Sequence, residues 1–259
     1  SAVTFAVGTA YRVEKKTRDR SLKSNDGTYI GNWQVNASTV GFTIDKTTPT
    51  VGVLVPANNQ DYKTITTISG TYTEATAGIE TNGLQIIVKA DYGGGKYWDE
   101  PTTSWKTQTE LQGLGRWPSW TNVTVYQTSW SYAGISDANW QLNNSRWHRI
   151  WVKAVDKANN SRIPTTQNVI DSVNSDSYFR YDKEEPDSIL LSPTPGSAIK
   201  TALLTLSGTA EDVNFGSGVT DAKIRISSGT AADGPYWQNP GWGSSVWLPK
   251  TTLVSADWT

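Results

Sequence analysis

Short extended runs dominate the pattern of apolar and polar positions along this chain. From His148 to Asp156, the residues Ile150, Val152 and Ala154 share one side of a stretch with a period of two. Ile224 and Ile226 alternate in the same way with Lys223 and Arg225. A half-buried strand requires this period, because successive side chains leave opposite faces. Further runs cover Val51–Val55, Lys63–Thr73, Gly83–Tyr92 and Tyr178–Asp182, and clusters of Gly, Asn and Pro separate them. Few segments carry a helical period. The pattern predicts strands at these places, a turn from Asp156 to Asn160, and an all-β fold.

The pattern also recurs. FTIDKTTPTVGVLVPANNQ, residues 42–60, returns as FRYDKEEPDSILLSPTPGS, residues 179–197. Phe42, Asp45, Pro49 and Pro56 meet Phe179, Asp182, Pro186 and Pro193 at one offset of about 137 residues. Each copy reads as a seam, with a last strand ending at Asp and a first strand opening after Pro. Tyr11–Asn25 aligns with His148–Arg162 at the same offset, which sets Asp19 on Asp156. Lys15 falls where Val152 stands, so a register shift or a solvated strand end is expected there. Leu204–Asp212 matches Thr66–Glu74, and Asp221–Ser227 matches the Gly83–Tyr92 strand. Tyr236-Trp237 matches Tyr97-Trp98, and Ser255–Trp258 matches Asp137–Trp140.

Residues 46–182 therefore hold one whole unit, of roughly seven strands, which points to an immunoglobulin-like sandwich. Residues 1–45 read as the last strands of such a unit and residues 183–259 as its first strands. The expected fold class is all-β: tandem immunoglobulin-like β-sandwiches, one complete domain flanked by two complementary half-domains. Neither half has enough strands to be stable alone. The C-terminal half would expose the Ile224 and Ile226 face and a free strand edge, which invites pairing with another chain. The expected assembly strands are Tyr11, Val13, Phe42 and Ile44 of one copy against Ile224 and Ile226 of another, head to tail. Two other arrangements compete. The 259 residues can be a segment of a longer continuous repeat chain, or the two halves can close on each other within one molecule.

Composition narrows the function. A length of 259 residues fits two to three ordinary domains. The net charge of −1 offers no footprint for nucleic acid. The absence of cysteine excludes a disulfide framework, a thiol nucleophile and a zinc–thiolate site. No apolar run is long enough to span a membrane and no signal peptide is present. Methionine is missing even at position 1, so a processed chain or an excerpt is expected.

Several of these motifs resemble bacterial immunoglobulin-like (Big-type) repeats. They are the D-x-x-x-P seam, the SGTA-x-D of Ser207–Asp212 with Gly218-Val219 after it, and V-x-A-x-D-x-A-N-N from Val152 to Asn160. The YW pattern at Tyr97-Trp98 and Tyr236-Trp237 belongs with them. Such repeats are strung in long adhesins, stalks, S-layer-associated and filament proteins, so the resemblance implies an extracellular or cell-surface place. It says little of function, because the fold hosts many roles. Ala158-Asn159-Asn160 departs from the usual Ala-Gly-Asn, and an Asn in left-handed conformation is expected to make that turn.

Four sets of residues carry possible chemistry. Thirteen Trp are unusual for this length. Trp98, Trp105, Trp117, Trp120 and Trp130 can form a sugar-stacking or partner-binding face, or can roof the sheets as packing. Asp19, Asp45, Asp156, Asp182, Asp212 and Glu74 sit at turns and seams. They can bind calcium through carboxylate oxygens or simply cap turns, and no D-x-D-x-D-G loop occurs. Asn36, Asn122, Asn143 and Asn159 each open an N-x-S/T sequon. His148, the one histidine, assembles no catalytic triad. The expectation is a non-enzymatic extracellular structural protein that joins end to end with copies of itself, calcium being the one possible cofactor. The alternative is a glycan-binding or adhesive module using the Trp-rich stretch.

Overall fold

The computed structural model describes residues 3–20, 31–91, 94–163, 175–200, 205–212, 216–229, 234–238, 241–249, 253–254 and 257–258. The N-terminal stretch forms one antiparallel pair, β1 (Ala10–Lys15) and β2 (Ser38–Thr43). The central stretch runs β3 (Thr50–Val55), β4 (Asp61–Tyr62), β5 (Ile68–Thr73), β6 (Ile79–Ala90), β7 (Lys96–Asp99), β8 (Ser104–Thr107), helix α1 (Gln108–Gly113), β9 (Thr121–Asn122), β10 (Thr124–Val125), β11 (Ser129–Tyr132), helix α2 (Asp137–Gln141), β12 (Arg146–Asp156), β13 (Ser161–Arg162) and β14 (Ser177–Tyr181). The C-terminal stretch adds β15 (Asp187–Ser192), β16 (Ser207–Glu211), β17 (Lys223–Ile224), β18 (Tyr236–Trp237), β19 (Trp242–Gly243), β20 (Leu248–Pro249), β21 (Leu253–Val254) and β22 (Asp257–Trp258). Strand dominates, which bears out the all-β expectation.

The central stretch builds two sheets. One has the order β10-β11-β5-β3. The larger has the order β4-β14-β12-β6-β7-β8, with β13 beside β12 and β9 beside β6. Leu84, Ile86 and Val88 of β6, Ile150 and Val152 of β12, and Phe179 and Tyr181 of β14 leave one face of the larger sheet. They meet Ile68 of β5 and Trp130 and Tyr132 of β11 in a single core. Alternation fixes this arrangement, because every second residue of each strand must point the same way. Trp98 Nε1 donates to the Tyr132 hydroxyl at 2.7 Å, a buried bond that ties β7 to β11. Helix α2 is short and exists to deliver one ring. The Ser136 hydroxyl accepts from the Asn139 amide at its start, and Trp140 enters the core. The opposite face of the larger sheet is covered too: Ile87, Tyr97, Leu111 of α1 and Trp151 pack together under Trp117 and Trp120.

Strand registers repeat along the chain. In the first pair, Ala10, Tyr11, Arg12 and Val13 face Thr43, Phe42, Gly41 and Val40. In β12 and β14, Trp147, His148, Arg149 and Ile150 face Arg180, Phe179, Tyr178 and Ser177, the same four pairs about 137 residues on. The Asp after β1 makes matching bonds, but to an Asn 13 residues on and not four, so the expected alignment of Tyr11–Asn25 with His148–Arg162 does not carry past Asp19. The Asn32 amide and side chain both donate to the Asp19 carboxylate, as those of Asn160 do to Asp156. Asn159 has φ +67°, the left-handed turn residue that the missing glycine calls for. Further on, β3 and β5 pair Thr50↔Thr73 through Val53↔Gly70 and Val55↔Ser69, with an irregularity between Val53 and Val55. β15 and β16 pair Asp187↔Glu211 through Leu190↔Gly208 and Ser192↔Ser207, with the irregularity at the corresponding place. Tyr92, Ser21–Asn25, Leu204, Ser255 and Ala256, which entered the sequence matches, lie outside the described residues.

One expectation changes here. Ser255–Trp258 does not correspond to Asp137–Trp140, because the latter is helix α2 and Asp257–Trp258 is strand β22. Trp258 faces Gly208 as Trp130 faces Gly70, so its counterpart is Trp130. The place of Trp140 is taken instead by Phe5. Phe5 meets Tyr11 and Phe42 edge-on at 4.8 and 5.3 Å, as Trp140 meets His148 and Phe179 at 5.2 and 5.9 Å. At Lys15 the second of the two expected alternatives holds, a solvated strand end without a register shift. The β1–β2 ladder runs in register to Lys15↔Ser38, and Lys15 is an exposed strand end.

Candidate functional site: two open sheet faces

The N-terminal pair presents apolar residues at the positions matching those of β12 and β14, without their cover. Tyr11 stacks on Phe42 at 5.5 Å, and both are half-buried against Phe5. Val13 is 56% exposed and Val40 64%, whereas Ile150, at the position matching Val13, is 0% exposed. Ile44, just past β2, is half-buried where the corresponding Tyr181 is buried. The reason is the missing neighbour. β12 lies between β14 and β6, whereas among the described residues β1 has β2 alone.

The C-terminal stretch shows the converse. Ile224 and Ile226 turn inward and are half-buried, while Lys223 and Arg225 are exposed, as their alternation predicts. Their inner face opens into a cleft of about 500 Å³ lined by Leu190, Leu206, Ile224, Ile226 and Trp247 among others. In the central stretch the matching space beside Ile86 and Val88 is filled by Ile150, Val152 and Phe179. The register identifies the match: Ser227 bridges Tyr236 as Lys89 pairs with Tyr97, so Ile226 stands at the place of Val88 and Ile224 at that of Ile86. Among the described residues, β17 is paired with β20 alone and β1 with β2 alone.

The five tryptophans divide. Trp98 and Trp130 are 1% exposed and belong to the core, so they are not part of a ligand face; ring burial on this scale is packing. Trp105 packs on Trp98 and Trp140 and donates its ring N–H to the Asn139 carbonyl. Trp117 and Trp120 remain half-exposed. They flank a cleft of about 590 Å³ whose polar lining includes Asp99, Glu100, Arg116 and Asn122. Asp99 is fully buried: Thr102 donates its hydroxyl to Oδ2, Arg116 pairs with the same oxygen at 3.2 Å, and Oδ1 has no partner among the described residues.

The carboxylates divide as well. Asp45, Glu74 and Asp156 bring oxygens within 4.8 Å of one another. Calcium takes oxygen ligands of this kind. The amides of Thr47, Thr76, Ala77 and Asn160 already donate to the same carboxylates. Bonds from the Thr47 hydroxyl and amide hold the Asp45 carboxyl below its ordinary value. Asp182 and Asp212 lie at the other seam and share one loop. Ser217 donates its amide to Asp182 and its hydroxyl to Asp212, and the Gly218 amide also donates to Asp212. Burial raises Asp182, but the bonds from Ser217, Glu184 and Ser145 outweigh it and its pKa is lowered.

Among the sequon residues, Asn36, Asn122 and Asn159 are exposed. Asn143 is 5% exposed, so it cannot carry a glycan in the folded chain. The motif is a local signal and takes no account of burial. No protein-family model matches the chain, and no curated protein matches it. No helix among the described residues is long and apolar enough to cross a membrane.

The sequence pattern missed Phe5, Leu190, Leu206 and Trp247 as parts of the open faces. It also missed the covered outer face around Ile87 and Trp151. The unbroken apolar runs Ile86-Ile87-Val88 and Ile150-Trp151-Val152 carried that signal, because strands buried on both faces lose their alternation.

Proposed function

We propose that this chain is an extracellular structural unit that joins end to end with further copies. Each junction is an immunoglobulin-like sandwich assembled from residues 183–259 of one copy and residues 1–45 of the next. Residues 46–182 form the complete domain between two junctions. The observation that carries this reading is the pair of matched registers. β1–β2 repeats the pairing of β12–β14, and β15–β16 repeats that of β3–β5, while both leave open the faces that the central stretch buries. Main-chain pairing plus burial of an apolar face is an established mode of recognition. A head-to-tail contact of this kind propagates as an open filament. The resemblance to bacterial surface repeats supports the extracellular place. Electron microscopy and sedimentation of the full chain should find filaments, and a chain lacking residues 1–45 should stay single. Filaments of unchanged length from the shortened chain would falsify the reading. Denaturing mass analysis of the filaments separates joined copies from one continuous repeat chain.

A second reading, adhesion through a saccharide, is favoured by the cleft beside Trp117 and Trp120. Its size suits a small ligand, and flat rings beside charged and amide groups suit the apolar face and hydroxyl rim of a sugar. On a glycan array, a chain with Trp117→Ala and Trp120→Ala should lose binding about tenfold or more while still forming filaments. Unchanged binding would leave the cleft without this role.

A further inference from the structure

The two open faces also specify how they meet. In the central stretch, β6 and β12 pair Ala90↔His148, Lys89↔Arg149, Val88↔Ile150, Ile87↔Trp151 and Ile86↔Val152. The register of β1 sets Tyr11 at the place of His148, Val13 at Ile150, Glu14 at Trp151 and Lys15 at Val152. The Ser227↔Tyr236 bridge sets Ile226 at Val88, Arg225 at Ile87 and Ile224 at Ile86. From these equivalences, and resting on the joining proposed above, we infer that the interaction surface has one register. A second copy lays β1 along the β17 edge with Val13 opposite Ile226, Glu14 opposite Arg225, and Tyr11 opposite Ser228.

Chemistry on both faces agrees with this register. On the inner face, Tyr11, Val13, Phe42 and Phe5 supply the apolar bulk for the cleft of about 500 Å³ beside Ile224 and Ile226. Lys15 enters at the strand end, where its stem covers Ile224 and its ammonium reaches water. On the outer face the match is more telling. In the central stretch, Ile87 and Trp151 form an apolar pair because Leu111, Trp117 and Trp120 cover them. The chain from Trp237 to Trp258 is about 11 residues shorter than that from Trp98 to Trp130, so it has less length for such a cover. At that same pair of positions stand Arg225 and Glu14, opposite charges that can face water. A covered apolar pair is thus replaced by an ion pair, and both members change together. Arg225 is already aimed at this face. Its guanidinium lies 4.8 Å from the ring of Tyr236, which stands at the place of Tyr97 on the covered outer face, and it donates to the Ser245 hydroxyl. Glu14 is exposed on β1 and pairs with Arg12 on the same strand.

Charge reversal in the full chain tests the register. Glu14→Arg and Arg225→Glu should each weaken joining by about five- to tenfold at low salt, since like charges directly opposite repel across a strand pair. The chain carrying both changes should join as the unmodified chain does, and the differences should shrink at high salt. Single changes without effect, or a double change as weak as the two losses combined, would overturn the register while leaving the joining itself intact. An unmodified chain that never joins would overturn the joining and the register together. Should a charge variant fail to fold, the absence of native cysteine allows a direct alternative. Chains with Glu14→Cys mixed with chains with Arg225→Cys should cross-link on oxidation, and chains with Glu14→Cys mixed with chains with Lys223→Cys should not. The reverse preference would also overturn the register.

Discussion

Replacing Trp140 by alanine lowers the stability of the central stretch by about 3–5 kcal/mol, the range for deleting a fully buried aromatic ring. Trp140 is 1% exposed and stands at the centre of a ring cluster. It meets His148 at 5.2 Å and Phe179 at 5.9 Å edge-on, stacks on Tyr181 at 6.0 Å and tilts against Trp105 at 5.8 Å. Strands β12 and β14 are rigid ladders and cannot collapse into the space that its removal leaves, so the cavity cost adds to the lost transfer energy. Helix α2 has five residues and buries no other side chain, so its docking goes with the ring. Urea titration of the full chain reads the effect as a lowered midpoint at unchanged slope. A loss below about 1 kcal/mol would mean that the ring cluster is not the keystone of this core. Phe5→Ala is the informative control. Phe5 makes the corresponding contacts but is 39% exposed, so its loss should cost the single chain under about 1 kcal/mol and appear in joining instead.

This contrast shows what a pattern of residues can and cannot carry. The alternation at Ile150, Val152 and Ala154, and at Ile224 and Ile226, was legible because a period of two has one structural solution. The seam was legible because several positions recur at one offset, and the ladders repeat that offset pair by pair. The four-residue likeness of Ser255–Trp258 to Asp137–Trp140 misled, because so short a match is free to be helix in one place and strand in another. Register against Gly70 and Gly208 decides it. Glycine at that position is a steric requirement: a Cβ on Gly70 would lie 1.9 Å from the Gly52 carbonyl oxygen and 2.5 Å from the Trp130 ring. The fate of each tryptophan was not legible. Tyr97 and Trp98 are neighbours on one strand and point to opposite faces, and both are buried because both faces of that sheet are covered. Residue type states how much surface is available to bury, and only the three-dimensional arrangement states which rings bury it.

Between pH 7 and pH 5 the full chain loses stability, and His148→Phe removes that loss. His148 is fully buried among Trp105, Trp140 and Phe179. Nδ1 lies 2.9 Å from the Arg146 carbonyl oxygen, where it donates, and Nε2 is buried without a partner among the described residues. Burial pushes the imidazole down from 6.5 to about 4, against a weaker upward pull from the Arg146 carbonyl and Asp91. The sign follows from proton counts. Below pH 6.5 the unfolded imidazole takes up a proton that the folded one refuses until about pH 4, so protonation favours unfolding across that window. Stability from this group is complete above pH 6.5 and falls as pH drops. The fall amounts to about 2 kcal/mol by pH 5 and about 3 kcal/mol near pH 4, at about 1.36 kcal/mol for each tenfold change in protonation. The window is clean because the chain has a single histidine. The depressed carboxyls give up their stabilisation only below their unfolded values, 3.8 for Asp45, Asp137 and Asp182 and 4.5 for Glu110, so they leave the stretch from pH 7 to pH 5 to the histidine. Phenylalanine keeps the ring contacts and cannot titrate. Urea midpoints at pH 7, 6 and 5 should therefore decline for the unmodified chain and stay level for the variant, whatever its absolute stability. Parallel declines in both would assign the titration to other groups and remove His148 from the account.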